Sequence, residues 1–297
     1  MHPDQVDLPL PVVAGLVAAQ FPGWRDRPVR AVASSGTVNA LFRVGADVVL
    51  RFPLRPRLDP AHRSALLREQ EVARCLAPHL PVAVPEPLGI GAPGEGYPGP
   101  WAAFRWIPGE VVDPGHVPDP VGLAGDLAAV VGALQDVDVD GRDWNGRSRG
   151  GPLSLRAGGV RQALSAAAGL VDATAVARVW ERCLRAPEHR GPPVCLHADL
   201  MPGNLLVRQG RLAAIIDLAD VCVGDPAVDL MPAWNLLPSS GRSAFRAALD
   251  VDDAAWDRGR GWALVQAIEA LPYYVSTNPA MAATARYTLS ALLEDAD

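Results

Sequence analysis

The sequence predicts an α+β fold, with a short antiparallel sheet first and a mainly helical region after it. Three observations carry this expectation. Short apolar runs between Val29 and Phe52, separated by a small-residue loop and the tight turn Gly45-Ala46-Asp47, read as an antiparallel meander. From Asp119-Pro120 onward the segments read as helices; proline there suits a first helical position. A length of 297 residues with 49% apolar content suits one large domain or two lobes around a packed core.

Composition narrows the partners. No apolar run reaches the length of a membrane span, so no membrane partner is expected. The start, MHPDQVDLPL, lacks the basic region and apolar core of a signal peptide, which leads us to expect a cytoplasmic protein. The formal charge is −6, and all 27 basic residues are arginine, with no lysine anywhere. No basic block emerges, so nucleic acid is not an expected partner. The four cysteines, Cys75, Cys183, Cys195 and Cys222, have no CxxC spacing and read as reduced core residues rather than zinc ligands. Cys195 borders and Cys222 lies within the stretch that matters most, which allows them to lie close in space.

In chain order, a helix is expected over 11–20, ended by Phe21-Pro22-Gly23. Strands follow over 29–33, 40–44 and 48–52, then a helix over 60–77. Residues 81–87 read as a proline-rich connector and 91–100 as a loop, before a strand over 101–107 that ends at Pro108-Gly109-Glu110. Helices are expected over 119–136, 156–168 and 172–186, with a mobile loop over 136–151. The acids of that loop lack the glycine and terminal glutamate of a calcium loop. Residues 226–297 read as helical and aromatic, and most of Trp234, Trp256, Trp262, Tyr273, Tyr274 and Tyr287 should be core.

The chemistry concentrates in Leu196–Leu230, LHADLMPGNLLVRQGRLAAIIDLADVCVGDPAVDL. Asn204–Val207 and Leu212–Ile216 flank Gln209-Gly210 as a hairpin. Folding that hairpin should bring Asn204 beside Asp217, with the loop carrying Asp199 next to them. An amide and a carboxylate oxygen suit Mg²⁺, which fills its other positions with water and phosphate. A further carboxylate, Asp199, could accept a proton from a hydroxyl. These are the parts for phosphoryl transfer to an alcohol. Read blandly, the same residues cap turns of an ordinary hairpin.

His197-Ala198-Asp199 through Asn204, and Gly224-Asp225-Pro226 through Asp229, resemble the aminoglycoside phosphotransferase family, which shares the protein-kinase-like fold and includes macrolide phosphotransferases. The resemblance runs from about Ser34 to the C-terminal helices. It implies a bilobal architecture, residues 1–107 as a nucleotide-binding lobe and 108–297 as a helical lobe with the catalytic loop and acceptor site. Asp199 would be the catalytic base, with Asn204 and Asp217 on Mg²⁺. The loop with Ser35, Gly36 and Thr37 would cover the phosphates of ATP or GTP. Arg51 stands where kinase patterns put lysine; guanidinium is planar and bidentate where ammonium is compact, but the charge is kept. Glu69 fits best as its carboxylate partner, with Glu71 as the alternative. Backbone groups of Arg105, Trp106 and Ile107 would read the purine edge, which leaves ATP and GTP undistinguished. Asp225, Asp229 and His197 are expected to brace the loop. The acceptor would be a hydroxylated small molecule, an aminoglycoside by resemblance, with a macrolide or another hydroxylated metabolite as the alternative. Glu269, Glu294, Asp295 and Asp297 are acids that a cationic acceptor would favour; a solvated surface is the other account. Antibiotic resistance is the implied role. A nucleotide-binding module without transfer is the rival class, prompted by Arg51 in place of lysine. A protein kinase is excluded by the lack of an arginine after His197, of D-F-G after Ile216 and of an A-P-E segment.

Overall fold

In this computed structural model, which describes residues 5–34, 36–57 and 59–295, the chain divides into two compact units. The first holds the chain up to Pro78, Ala83–Pro108 and the short return Ile216–Ala219; the second holds His79–Val82, Gly109–Ile215 and the chain from Asp220 onward.

The first unit opens with helix α1 (Leu10–Gln20), followed by strands β1 (Val29–Val32), β2 (Asn39–Val44) and β3 (Val48–Pro53). Helix α2 (Pro60–Leu76) and strands β4 (Pro87–Gly91) and β5 (Trp101–Arg105) complete it. All pairings in the five-stranded sheet are antiparallel, in the order β1-β2-β3-β5-β4. The β2–β3 turn needs a left-handed residue, and Gly45 takes φ 59° there. Along β3, Val48, Leu50 and Phe52 are buried on one face. Phe52 stacks on Trp101 at 4.8 Å and meets Tyr97 edge-on at 5.1 Å, whose hydroxyl donates to Pro53 O at 2.9 Å. Successive strand residues face opposite ways, so Arg51 projects from the other face, toward α2. Asp59 caps α2 by accepting from His62 N, and Gln70 ties the helix to β4 through Gly89 O at 2.7 Å.

In the first unit, one strand escaped the sequence reading. Residues 87–91 form β4, at the sheet edge, where a leading proline and a register shift at Gly89 are tolerated but obscure the pattern.

The second unit contains β6 (Glu110–Val111), α3 (Pro120–Gln135), α4 (Ala157–Ala166), α5 (Ala173–Leu184) and β7 (Val194–Leu196). The hairpin β8 (Leu205–Arg208) and β9 (Arg211–Ile215) follows, then β10 (Cys222–Gly224), α6 (Pro232–Asn235), α7 (Ser239–Leu249), α8 (Asp253–Tyr274) and α9 (Pro279–Glu294). Gln209 and Gly210 both have positive φ, 54° and 77°, as a two-residue hairpin turn requires, and the register pairs Leu205 with Ile215. Helix α8 is the centre of this unit and is buried nearly all round. It lets the turn 226–230 approach because position 259 is glycine: a Cβ there would lie 2.7 Å from Leu230 Cβ and 3.0 Å from Ala227 O. Trp234, Trp256 and Trp262 are core as expected, whereas Tyr273 is exposed. Among the described residues, no helix is long and apolar enough to cross a membrane.

Phe52→Ala removes a ring packed against three aromatic partners, Phe42, Tyr97 and Trp101, so it should cost about 3–5 kcal/mol, read as a lowered denaturant midpoint. An unchanged midpoint would mean that Phe52 does not anchor the sheet.

Candidate active site

In the first unit, three charged groups meet on the face of the sheet opposite its core. Arg51, paired with Ala102 across β3 and β5, donates through Nη1 to Glu69 Oε1 of α2 and through Nη2 to Asp217 Oδ1 at 3.0 Å. Asp217 lies two residues past the end of β9, in the left-handed region at φ 65°. Burial drags the Arg51 guanidinium down, but the charges and hydrogen bonds of Glu69 and Asp217 outweigh it and leave it raised. Burial pushes the Glu69 carboxyl up against the pull of Arg51. A buried cation is stable here because two carboxylates hold both arms of its fork.

In the second unit, the segment after β7 is fixed from below. The fully buried Asp229 accepts the N–H of His197 at 2.7 Å and of Ala198 at 2.8 Å. Burial pushes its carboxyl up, opposed by His197 and by these two donors. Ala198 is thereby held at φ 64°, a conformation few non-glycine residues adopt. The next residue, Asp199, presents its carboxylate to three donors. Oδ1 accepts from Arg149 Nη1 at 2.5 Å and Gln266 Nε2 at 2.9 Å; Oδ2 accepts from Asn204 Nδ2 at 2.9 Å. Asn204 Nδ2 also reaches Asp199 O at 2.9 Å. Arg149 further donates to Ala198 O at 2.7 Å and lies 4.0 Å from Asp220. Burial lowers the Arg149 guanidinium, but Asp199 first, then Asp220 and Glu269, carry it above its ordinary value. Asp225 does more than cap the turn through Ala227 N at 3.0 Å: it takes a buried, two-pronged pair from Arg258 of α8 at 2.7 and 3.2 Å.

Ser35 lies outside the described residues; Gly36 is exposed and donates its N–H to Ser34 Oγ at 2.9 Å, and Thr37 is half-buried. Arg105 N–H donates to Glu86 O and Trp106 N–H to Asp47 O, each at 2.8 Å, while the Arg105 side chain pairs with Glu86 and Arg43 covers the Trp106 ring at 4.5 Å. Two of the acids considered for a cationic molecule are engaged, and Glu294 is exposed. Glu269 accepts twice from Arg156 at 2.8 Å, and Asp295 accepts from Arg242, Arg260 and Trp234; Asp297 is outside the described residues. Cys195 and Cys222 stand on the paired strands β7 and β10, as free thiols each pushed up by burial to about 11. Among the described residues, no group of three or more His, Cys, Asp or Glu side chains could hold a metal by itself.

Sequence reasoning missed Arg149 and Gln266. Arg149 sits in an irregular loop where only the following Gly150-Gly151 marks a special backbone; Gln266 is one polar residue on a buried helix, without a motif of its own.

Arg51→Met strands Glu69 as a buried carboxylate without its cation, so it should cost about 3–5 kcal/mol. Arg51→Lys should cost less, since it keeps charge but not the fork. Chemical denaturation checks the order; equal stability of all three proteins would remove the pair from the fold's support.

Comparison with known proteins agrees with this architecture. The profile of the phosphotransferase enzyme family matches residues 29–262. The GDP and kanamycin complex of APH(2")-IIia superposes with a TM-score of 0.69 at 19% identity, covering 96% of this chain and 98% of that one. The ADP-bound aminoglycoside phosphotransferase APH(2'')-Ib gives 0.59 at 15% identity, over 97% and 99%. The macrolide 2'-phosphotransferase MphH from Brachybacterium faecium gives 0.62 at 26% identity, over 96% and 98%. None of the curated proteins matches the chain in sequence.

Proposed function

This chain belongs to the phosphotransferase enzyme family, and on that premise we propose that it moves the γ-phosphoryl of ATP or GTP to a hydroxyl of an aminoglycoside-type acceptor. Its α+β fold, with an antiparallel sheet in the N-terminal part and helices in the C-terminal part, is the kinase-like fold of that family. The observation that carries the proposal is the Asp199 carboxylate, braced by three donors on a loop that Asp229 locks. A merely turn-capping aspartate needs no such bracing.

In this reading, residues 1–107 bind nucleotide and 108–297 hold the acceptor. The loop with Ser35, Gly36 and Thr37 covers the phosphates, and Arg51, kept in place by Glu69, neutralises them. Of Arg105, Trp106 and Ile107, the first two have N–H groups already engaged, so the Ile107 N–H and the carbonyls would face the purine edge. Asn204 and Asp217 fit Mg²⁺ by their donor chemistry. The Asn204 amide nitrogen is committed to Asp199, which leaves its oxygen for the ion, and Asp217 keeps a second carboxylate oxygen beyond the one on Arg51. When bound, Mg²⁺ would neutralise charge on the β- and γ-phosphates. Asp199 orients the acceptor hydroxyl and takes its proton. The rest of the acceleration is placement and charge neutralisation. Action in the cytoplasm and a part in antibiotic resistance belong to the same proposal.

One observation favours a second acceptor class, a macrolide or other hydroxylated metabolite of low charge. Glu269 and Asp295, two of the four acids that would attract a polycation, are each neutralised by arginine. The 26% identity to a macrolide 2'-phosphotransferase supports the same direction.

Asp199→Ala should abolish transfer while nucleotide affinity, read by calorimetry, stays nearly intact. Retained turnover would remove Asp199 from its role.

A further inference from the structure

The Asp199 carboxylate is not symmetric. Each carboxylate oxygen offers about two lone pairs for hydrogen bonding. At Oδ1 both are used, by Arg149 Nη1 and Gln266 Nε2; at Oδ2 one is used, by Asn204 Nδ2. We infer that Arg149 and Gln266 are positioning residues for the transfer reaction, filling Oδ1 so that the proton of the acceptor hydroxyl is delivered to Oδ2. The inference rests on the reading of Asp199 as the base and deepens it to the level of one atom.

The acceptor oxygen forms a bond to the γ-phosphorus, and the bond from that phosphorus to the bridging oxygen breaks. Its electron pair leaves with the nucleoside diphosphate, and the hydroxyl proton passes to Asp199 Oδ2. For the hydroxyl to lie in line, the carboxylate plane must not rotate. Two neutral or cationic donors on one oxygen and an amide on the other prevent that rotation.

The surrounding backbone is built to keep Arg149 there. Its carbonyl oxygen accepts from Cys222 Sγ at 3.1 Å, and Gly150 O accepts from Asp225 N at 2.9 Å. Gly150 has φ 107°, which favours glycine, and a Cβ on Gly224 would strike the Gly150 backbone. Thus β10 and the turn that bears Asp225 grip the main chain at 149–150, while the side chain reaches Ala198 O and Asp199 together. Gln266 comes from the other direction, on α8 between the buried Val265 and Ala267. An exposed ion pair of ordinary kind has none of this scaffolding.

The test uses the full chain with an acceptor that the wild type phosphorylates. Arg149→Ala should lower kcat on the order of 100-fold, the scale of a small misplacement of a reacting group. The nucleotide KM should stay near the wild-type value. Added guanidinium ion should restore part of the Arg149→Ala rate and none of the rate lost in Gln266→Leu, which should also fall in kcat rather than KM. Arg149→Lys should fall between Arg149→Ala and the wild type. Unchanged kcat in both Arg149→Ala and Gln266→Leu overturns the inference. So does a loss that guanidinium cannot restore and that tracks a collapse of nucleotide binding, the mark of a structural role. A wild type that transfers to no acceptor overturns instead the underlying phosphotransferase reading.

Discussion

A buried carboxylate with two backbone donors is the constraint on which the second unit's chemistry depends. Asp229 is withdrawn from water and must be satisfied by the protein; it takes the N–H groups of His197 and Ala198, the first residues after β7. Those bonds hold Ala198 in a left-handed conformation. That in turn aims Asp199 away from the strand and into the reach of Asn204, Arg149 and Gln266. Asp225, four residues before Asp229, fastens the same turn to α8 through Arg258. One short turn therefore sets the loop in front of it and the helix behind it.

The first unit solves a related problem with a cation. Arg51 lies on a central strand whose neighbours Leu50 and Phe52 are fully buried, so its charge must be answered locally. Glu69 and Asp217 answer it, one from a helix and one from the chain that returns after the β8–β9 hairpin. In a chain with no lysine, a guanidinium at this place has a structural consequence. It can bind both acids at once, one on each arm of its fork, where an ammonium would act as a point charge.

Much of this was legible in the sequence, for physical reasons that differ by element. The meander and the hairpin were read correctly because tight turns need particular residues, Gly45 and Gln209-Gly210, and their flanking runs are apolar. Helices were found to within a few residues because Asp59, Asp119 and Asp172 cap them. Strand β4 was hidden by its proline and glycines, which an edge position tolerates. Glu69 was preferred over Glu71, and it is Glu69 that reaches Arg51. Arg149 and Gln266 were invisible because their importance comes from tertiary placement alone: one depends on a glycine-to-glycine approach and the other on which face of a largely buried helix it occupies. Glu269 and Asp295 looked available because sequence cannot show that Arg156 is folded against the first and Arg242 and Arg260 against the second.

The proposed activity is transfer of a phosphoryl group to a hydroxyl of a small molecule. Incubating the purified chain and Mg²⁺ with ATP or GTP and a panel of aminoglycosides, macrolides and small alcohols tests it, with each acceptor weighed by mass spectrometry. We expect at least one hydroxylated acceptor to gain the mass of a single phosphoryl group, with matching release of nucleoside diphosphate. Nucleotide bound but left intact, with every acceptor unchanged in mass, would contradict the claim and leave a binding module in its place.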